Sequence, residues 1–192
     1  MILLNIWQKS RIAVVNNFLY THMNMYYKYK RLIILINLDM KSINFIIREI
    51  QQADLDKGFF QTLSNLSVLG RIQYDIGHAK KILKEIKSYP LYKIFVAVKN
   101  DETEIIGSIT LLIEQKFIHD GGKSGHIEDV VTRREYEGIG VGSALVAAAL
   151  AFAKEKNCYK VILDCSEKNV PFYEKIGFRR NEISMRYDIV PQ

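Results

Sequence analysis

The segment Glu137-Gly138-Ile139-Gly140-Val141-Gly142 decides the reading of this chain, because of what stands on either side of it. Before it runs an apolar-rich stretch, His126-Ile127-Glu128-Asp129-Val130-Val131, and after it a long run dominated by Ala and Leu. Strand, glycine turn and helix in that order leave unpaired backbone N–H groups at the helix start, where the positive end of the helix dipole adds to their pull on a phosphate. Glycine suits the position because a Cβ would hold an anion away from the backbone. The segment therefore predicts a site for a pyrophosphate-bearing cofactor.

Spacing separates the phosphate motifs that compete here. A dinucleotide fingerprint G-x-G-x-x-G fails, since its last glycine falls on Ser143 or on Leu145. A P-loop fails as well: Gly122-Lys123-Ser124 supplies its tail, but its first glycine falls on Phe117.

At 192 residues the chain predicts a single domain with enough length for a core. Its formal charge of +6 is concentrated upstream: residues 1–40 carry Lys9, Arg11, Lys28, Lys30 and Arg31 against Asp39 alone, a net +4. No basic stripe, zinc-ligand spacing or nucleic-acid motif marks the remainder, so neither a nucleic-acid partner nor a metal is expected. Arg31-Leu32-Ile33-Ile34-Leu35-Ile36 is far too short to span a bilayer, and no signal-peptide pattern ends in a small-residue cleavage site. Residues 1–40 read as a poorly ordered extension before a domain at 41–192. Two readings of that extension stay open: a translation start at Met40, or a targeting or membrane-peripheral tail. Cys158 and Cys165, seven residues apart, make an awkward bridge and point to a reducing compartment, here the cytoplasm.

Along the rest of the chain, 43–50 reads as a first strand, and Asp54 as the cap of a helix with Leu55, Phe59, Leu63 and Leu66 at helical spacing. A second helix is expected over 76–86, ended with the help of Pro90. Strands follow at 94–98 and 105–113, joined by a polar turn at Asn100-Asp101-Glu102, and a connection covers 116–125. Then come strand 126–131, the glycine loop, helix 140–156 with Asn157 as its cap, and a short buried strand at 161–163. A short helix at 170–176 carries Pro171 in its first turn, and closing strands are expected at Phe178 and over 183–189. Mixed strands with helices on both faces fit an α/β layer architecture.

The loop resembles the acetyl-CoA loop of the GNAT acyltransferase superfamily, Q/R-x-x-G-x-G/A, with Gly140 and Gly142 in place and Glu137 where Gln or Arg is usual. Gly125-His126-Ile127-Glu128-Asp129-Val130, Leu163-Asp164-Cys165-Ser166-Glu167-Lys168-Asn169 and Phe172-Tyr173-Glu174-Lys175-Ile176-Gly177-Phe178 occur in the order and spacing of its glucosamine-6-phosphate N-acetyltransferase branch. Lys57-Gly58-Phe59, the run from Leu63 to Gly70 and the run from Ser108 to His119 resemble that branch too, so the resemblance covers about 45–189. It implies the GNAT fold, a mixed and mostly antiparallel sheet that splays where the acyl group lies. It also implies a homodimer whose sugar sites draw on both chains, and acetyl transfer from acetyl-CoA to the 2-amino group of D-glucosamine 6-phosphate.

Acetyl transfer needs a neutral amine, a donor for the carbonyl oxygen, a proton or hydrogen bond for the departing thiolate, and two substrates held in line. Asp164 at a strand end suits the amine, with Glu128 on the neighbouring strand acting directly or through water. The resemblance assigns Tyr173 to the coenzyme sulfur and the Val130 N–H to the carbonyl. It lays pantetheine along Val130-Val131-Thr132 and the pyrophosphate in Gly138, Ile139, Gly140, Val141, Gly142 and Ser143. Glu174 and Lys175 stand beside the coenzyme, and Arg133 and Arg134 near its remaining phosphate, though a solvated turn explains those arginines equally. For the sugar and its phosphate it implies Ser67, Lys116, Phe117, Ile118, His119, Glu128, Asp129, Val130, Tyr159, Lys160 and Asp164. Near the C-terminus the branch commonly shows an acid, Met, and an Arg three further on, whereas this chain has Ser184-Met185-Arg186. Two other readings stand beside this one: a GNAT enzyme acting on a peptide amine, and a CoA-binding module without catalysis.

Overall fold

The computed structural model describes residues 44–189; the expected extension over 1–40 lies outside them. Five strands form one sheet in chain order: β1 (Phe45–Glu49), β2 (Tyr92–Lys99), β3 (Ile105–Gln115), β4 (Lys123–Thr132) and β5 (Cys158–Leu163). The first four pair antiparallel and β5 lies parallel to β4. A parallel neighbour requires a crossover, and the Ala-rich helix supplies it.

Among the described residues four helices cover the sheet: α1 (Phe59–Leu63), α2 (Ile76–Ser88), α3 (Val141–Glu155) and α4 (Val170–Lys175). On one face Val141, Leu145, Val146 and Ala149 of α3 pack with Ala97, Ile106, Ile109 and Leu111. On the other, Phe59 of α1 and Ala79 and Leu83 of α2 pack with Ile94, Val96, Val98 and Ile105. Covered on both sides, β2 and β3 carry near-continuous apolar runs rather than clean alternation. Asp75 caps α2, its carboxylate accepting from the His78 N–H at 2.9 Å. Asn157 ends α3 in the left-handed region at φ 59°, as a cap residue can.

Three expectations are corrected. The helix expected from Asp54 is split into a 3-10 turn at Gln52–Asp56 and α1, with Gly58 at φ 81° between them. Asp54 is instead fully buried, taking Arg48 Nη1 at 2.6 Å, Arg48 Nη2 at 2.8 Å and the Gln51 N–H at 2.7 Å. A buried carboxylate must be paired, and that need outranks helix continuity. Second, Val161, Ile162 and Leu163 are only half-buried, because β5 is the sheet edge. Third, no strand forms over 178–189. Ile183, Met185, Tyr187 and Ile189 alternate as a strand would, yet stand about nine-tenths exposed. Alternation specifies a ribbon with an apolar side; only a paired edge makes it a strand. No helix among the described residues is long and apolar enough to cross a membrane.

Candidate active site

The end of β4 departs from regular pairing in two ways. Thr110 pairs with Glu128 and Ser108 with Val131, so Asp129 and Val130 together face Ile109. Asp129 sits at φ 51°, and this bulge bends the strand and re-aims its side chains. The ladder with β5 stops at Ile127↔Leu163, whereas β4 continues to Thr132. The β5-facing edge of 128–132 has no strand partner among the described residues, and such an edge accepts an extended ligand as an added strand.

The glycine loop lies against this edge. An added Cβ on Gly142 would meet Phe172 Cζ at 3.4 Å and Thr132 Oγ1 at 3.7 Å, so the start of α3, the end of β4 and α4 converge. Gly138 (φ 78°) and Gly140 (φ 92°) have open space around them; their left-handed dihedrals, not crowding, call for glycine. Gly140 is the N-cap of α3, and the N–H groups of Val141, Gly142 and Ser143 have no partner within the helix. Ile139 packs against the core between the two glycines and anchors the loop. Glu137 is exposed, with an extended backbone.

Continuing the β4–β5 register by one residue sets Asp164 opposite Glu128. The Glu128 carboxyl is pushed above its ordinary value by partial desolvation, then by the charges of Asp129 and Asp164, with His126 acting the other way. Ser184 Oγ donates to Asp164 Oδ2 at 3.1 Å. Tyr173 is buried edge-on between Phe172 and Phe178, at centroid distances of 4.9 and 5.8 Å. Burial, then the neighbouring Cys165, raises its phenol, which stays protonated and able to donate. Glu174 and Lys175 are exposed at the end of α4.

The remaining expected residues gather elsewhere. Lys116 Nζ is 2.5 Å from Glu114, which also lies 3.3 Å from His126 Nε2. Phe117 and Ile118 are exposed on a tight turn where His119 and Asp120 both take positive φ. The His119 ring packs tilted, at 42°, against Tyr159 with centroids 4.2 Å apart, and Lys160 Nζ lies 5.8 Å from the Tyr159 ring. Lys160 pairs with Ser124, near the start of β4 and four residues before Glu128. Ser67 lies on the exposed loop after α1, where Asn65 Oδ1 accepts the Arg134 N–H at 3.4 Å. Among the described residues no group of three or more His, Cys, Asp or Glu side chains could hold a metal ion.

Arg134 is exposed as expected, but Arg133 is not available to a phosphate: it is buried between Glu104 and Glu135. Sequence reasoning also missed Tyr92. Its phenol is raised by burial and then by the charges of Asp129 and Glu128, which places it in the same electrostatic neighbourhood. Alternation along β2 groups Tyr92 with Ile94 and Val96. Only the register through Leu112 and His126 brings that row beside Glu128.

The Acetyltransferase (GNAT) family model matches residues 61–178. A glucosamine 6-phosphate N-acetyltransferase of Arabidopsis thaliana is 35% identical over 142 residues, covering 73% of this chain and 94% of that protein. One from Trypanosoma brucei brucei is 52% identical over 85 residues, and the match spans 44% of this chain and only 58% of that relative's length. The crystal structure of the Arabidopsis thaliana glucosamine-6-phosphate N-acetyltransferase superposes with a TM-score of 0.70 at 35% identity, over 77% of this chain and 99% of that one. With a bulged strand leading through a glycine loop into the crossover helix, and relatives aligned across most of its length, the chain belongs to the GNAT acetyltransferase family.

Proposed function

We propose that the chain transfers the acetyl group of acetyl-CoA to the 2-amino group of D-glucosamine 6-phosphate, giving N-acetyl-D-glucosamine 6-phosphate for UDP-N-acetylglucosamine synthesis. The observation that carries this reading is the proximity of two carboxylates, Glu128 and Asp164, one residue beyond the β4–β5 ladder and beside an open strand edge that ends at a glycine-lined helix start. Relatives bearing that enzyme name support the choice of acceptor.

In this reading the N–H groups of Val141, Gly142 and Ser143 hold the coenzyme pyrophosphate, and residues 130–132 pair with pantetheine. Asp164 accepts a hydrogen bond from the sugar amine and orients its lone pair. Glu128, its carboxyl raised above the ordinary value by partial desolvation and neighbouring carboxylates, takes the amine proton directly or through water. The nitrogen then attacks the thioester carbonyl while the Val130 N–H donates to the developing oxyanion. As the C–S bond breaks, Tyr173 donates its phenolic hydrogen to the leaving sulfur. Holding both reactants in line can lower the barrier by roughly 7–11 kcal/mol.

We assign the acceptor's phosphate site to Ser67, Lys116 to His119, and Tyr159-Lys160, and we place part of it on a second copy of the chain. Ser124, opposite Lys160, is four residues from Glu128 along β4, roughly 13 Å at strand rise. An amino sugar phosphate does not easily bridge that span within one chain. The β5 edge, without a second strand partner among the described residues, and the exposed apolar alternation at Ile183, Met185, Tyr187 and Ile189 suit a homodimer. Two free cysteines fit a reducing compartment such as the cytoplasm.

Thiol release from acetyl-CoA, measured across a panel of amines, tests the proposal. Activity that requires the 6-phosphate is expected; activity on peptides without it would favour a peptide acetyltransferase, and none at all a binding module. Light scattering should give twice the mass of one chain, and a monomer that retains full activity would remove the shared site.

A further inference from the structure

Arg133 has an environment that a solvent-facing turn does not need. It follows β4 directly, and its side chain is only 6% exposed. Nη1 donates to Glu104, on the hairpin between β2 and β3. Nη2 donates to Glu135 at 2.5 Å, within the 3-10 turn Arg134–Tyr136 that leads into the glycine loop. The guanidinium carbon lies 5.7 Å from the Tyr136 ring centroid, and Tyr136 Oη donates to the second oxygen of Glu104 at 2.9 Å. The backbone repeats the tie: Arg133 N donates to Ile106 O at 2.9 Å, and Tyr136 N to Arg133 O at 2.8 Å. An added Cβ on Gly58 would come within 3.5 Å of Nη1, so the loop before α1 closes over the pair.

Burying a guanidinium is an inefficient source of stability, because desolvation offsets most of the attraction and an apolar side chain of similar size often serves as well. A forked cation between two carboxylates on different segments supplies geometry instead. Burial works against the Arg133 charge, yet its bonds to Glu104 and Glu135 hold its pKa above the ordinary value, so it stays charged at all accessible pH. Between Glu135 and the helix start lie only Tyr136, Glu137, Gly138, Ile139 and Gly140. Two of these are left-handed glycines with nothing close around them. Ile139 holds the middle of this loop to the core, but its glycines lend it little stiffness, and the angle at which it is entered is set at the 134–136 turn.

We propose that Arg133 is a positioning residue for the coenzyme site: by clamping the 134–136 turn to the β2–β3 hairpin through Glu104 and Glu135, it aims the 137–142 loop so that its N–H groups converge on the pyrophosphate. The inference rests on the proposed coenzyme reading and adds to it a residue that does not touch the ligand. It also accounts for how this loop works with Glu137 at its head: the ordering cation stands behind the loop rather than in it.

Coenzyme A affinity by titration calorimetry, the two KM values, kcat and Tm, measured on the full chain and on Arg133→Met, Arg133→Lys and Glu135→Gln, test this. Arg133→Met is expected to weaken coenzyme A binding roughly tenfold, as for loss of charge-assisted hydrogen bonds, and to raise the KM for acetyl-CoA in parallel. The KM for glucosamine 6-phosphate should stay within about twofold, because Lys116 to His119, Tyr159-Lys160 and Asp164 lie on other segments and the β4 ladder with β3 holds Glu128 independently of the clamp. Lysine keeps the charge but not the fork, so Arg133→Lys should fall between wild type and Met. Glu135→Gln, altering an exposed carboxylate, should weaken coenzyme binding about threefold with little change in Tm. If Arg133→Met does not fold, Glu135→Gln decides: wild-type affinity there overturns the inference. So does wild-type affinity in Arg133→Met, or a matched rise of both KM values that follows a fall in Tm. A wild-type chain that fails to bind coenzyme A overturns the underlying reading as well, which separates the two failures.

Discussion

Gly107 on β3 and Val141, the first residue of α3, are in such close approach that a Cβ added to the glycine would stand 2.7 Å from Val141 Cγ1. The same atom would be 2.9 Å from Leu145 Cδ1 and 3.2 Å from the Val131 carbonyl oxygen. One small residue therefore sets how near the crossover helix lies to the sheet, and with it where the helix N-terminus and the β4 edge meet.

Gly107→Ala should consequently destabilise the chain by about 1–3 kcal/mol through overpacking. It should also weaken coenzyme binding by shifting α3. Urea unfolding and calorimetry check both, and a variant unchanged in stability would show that the helix is not seated against this strand.

Gly140→Ala tests the loop in a different way. No atom lies near the position, so the expected loss comes from the φ of 92°, a penalty of about 1–2 kcal/mol for a side chain there. Coenzyme A affinity should drop about tenfold, with the native fold retained by circular dichroism. Full affinity would mean that the helix start is not the pyrophosphate site.

Replacing Tyr173 by Phe removes only the hydroxyl from a buried aromatic cluster. Turnover should fall on the order of 100-fold while acetyl-CoA affinity changes little, as expected when a donor acts on the leaving group. Equal turnover in the variant would take Tyr173 out of its role.

The raised pKa of Glu128 has partial desolvation as its first cause and the Asp129 and Asp164 charges as the next. Asp164→Asn deletes one of those charges, so Glu128 ionises more easily. The acidic limb of the kcat/KM profile should then move to lower pH, alongside a reduced plateau from loss of the amine contact. A limb that stays put, or moves upward, would dissociate it from Glu128.

Asp54 supplies a stability test away from the site. Burial favours its neutral form, but Arg48 and the Gln51 N–H more than offset this and hold its pKa below the ordinary value. A carboxylate depressed in the native state contributes stability that is full above its unfolded pKa of ~4 and is lost as pH falls through the lower native value. Asp54→Asn should cost on the order of 3 kcal/mol at neutral pH. It should also flatten the acid limb of the stability curve, as chemical denaturation at pH 7 and below pH 4 would show.

Much of the layer order is legible in the residues: apolar β2 and β3, Asn157 at the end of α3, Pro171 opening α4, and the strand–glycine–helix sequence around Gly140. These are local signals, each fixed by the conformation that one residue type allows. Asp54 and Arg133 mislead for a common reason. A charge in a string looks like a cap or a phosphate ligand, and whether it is buried and paired depends on segments far away in the chain.

Sequence by itself determined the five strands from β1 to β5, the crossover helix and the glycine turn that opens it, because steric limits and side-chain periodicity act over a few residues. Tertiary structure alone decided the bulge at Asp129, the end of the β4–β5 ladder at Ile127, the facing of Glu128 and Asp164, and the burial of Arg133. Those depend on register and packing between segments distant in the chain, and the charge each group feels follows from that proximity.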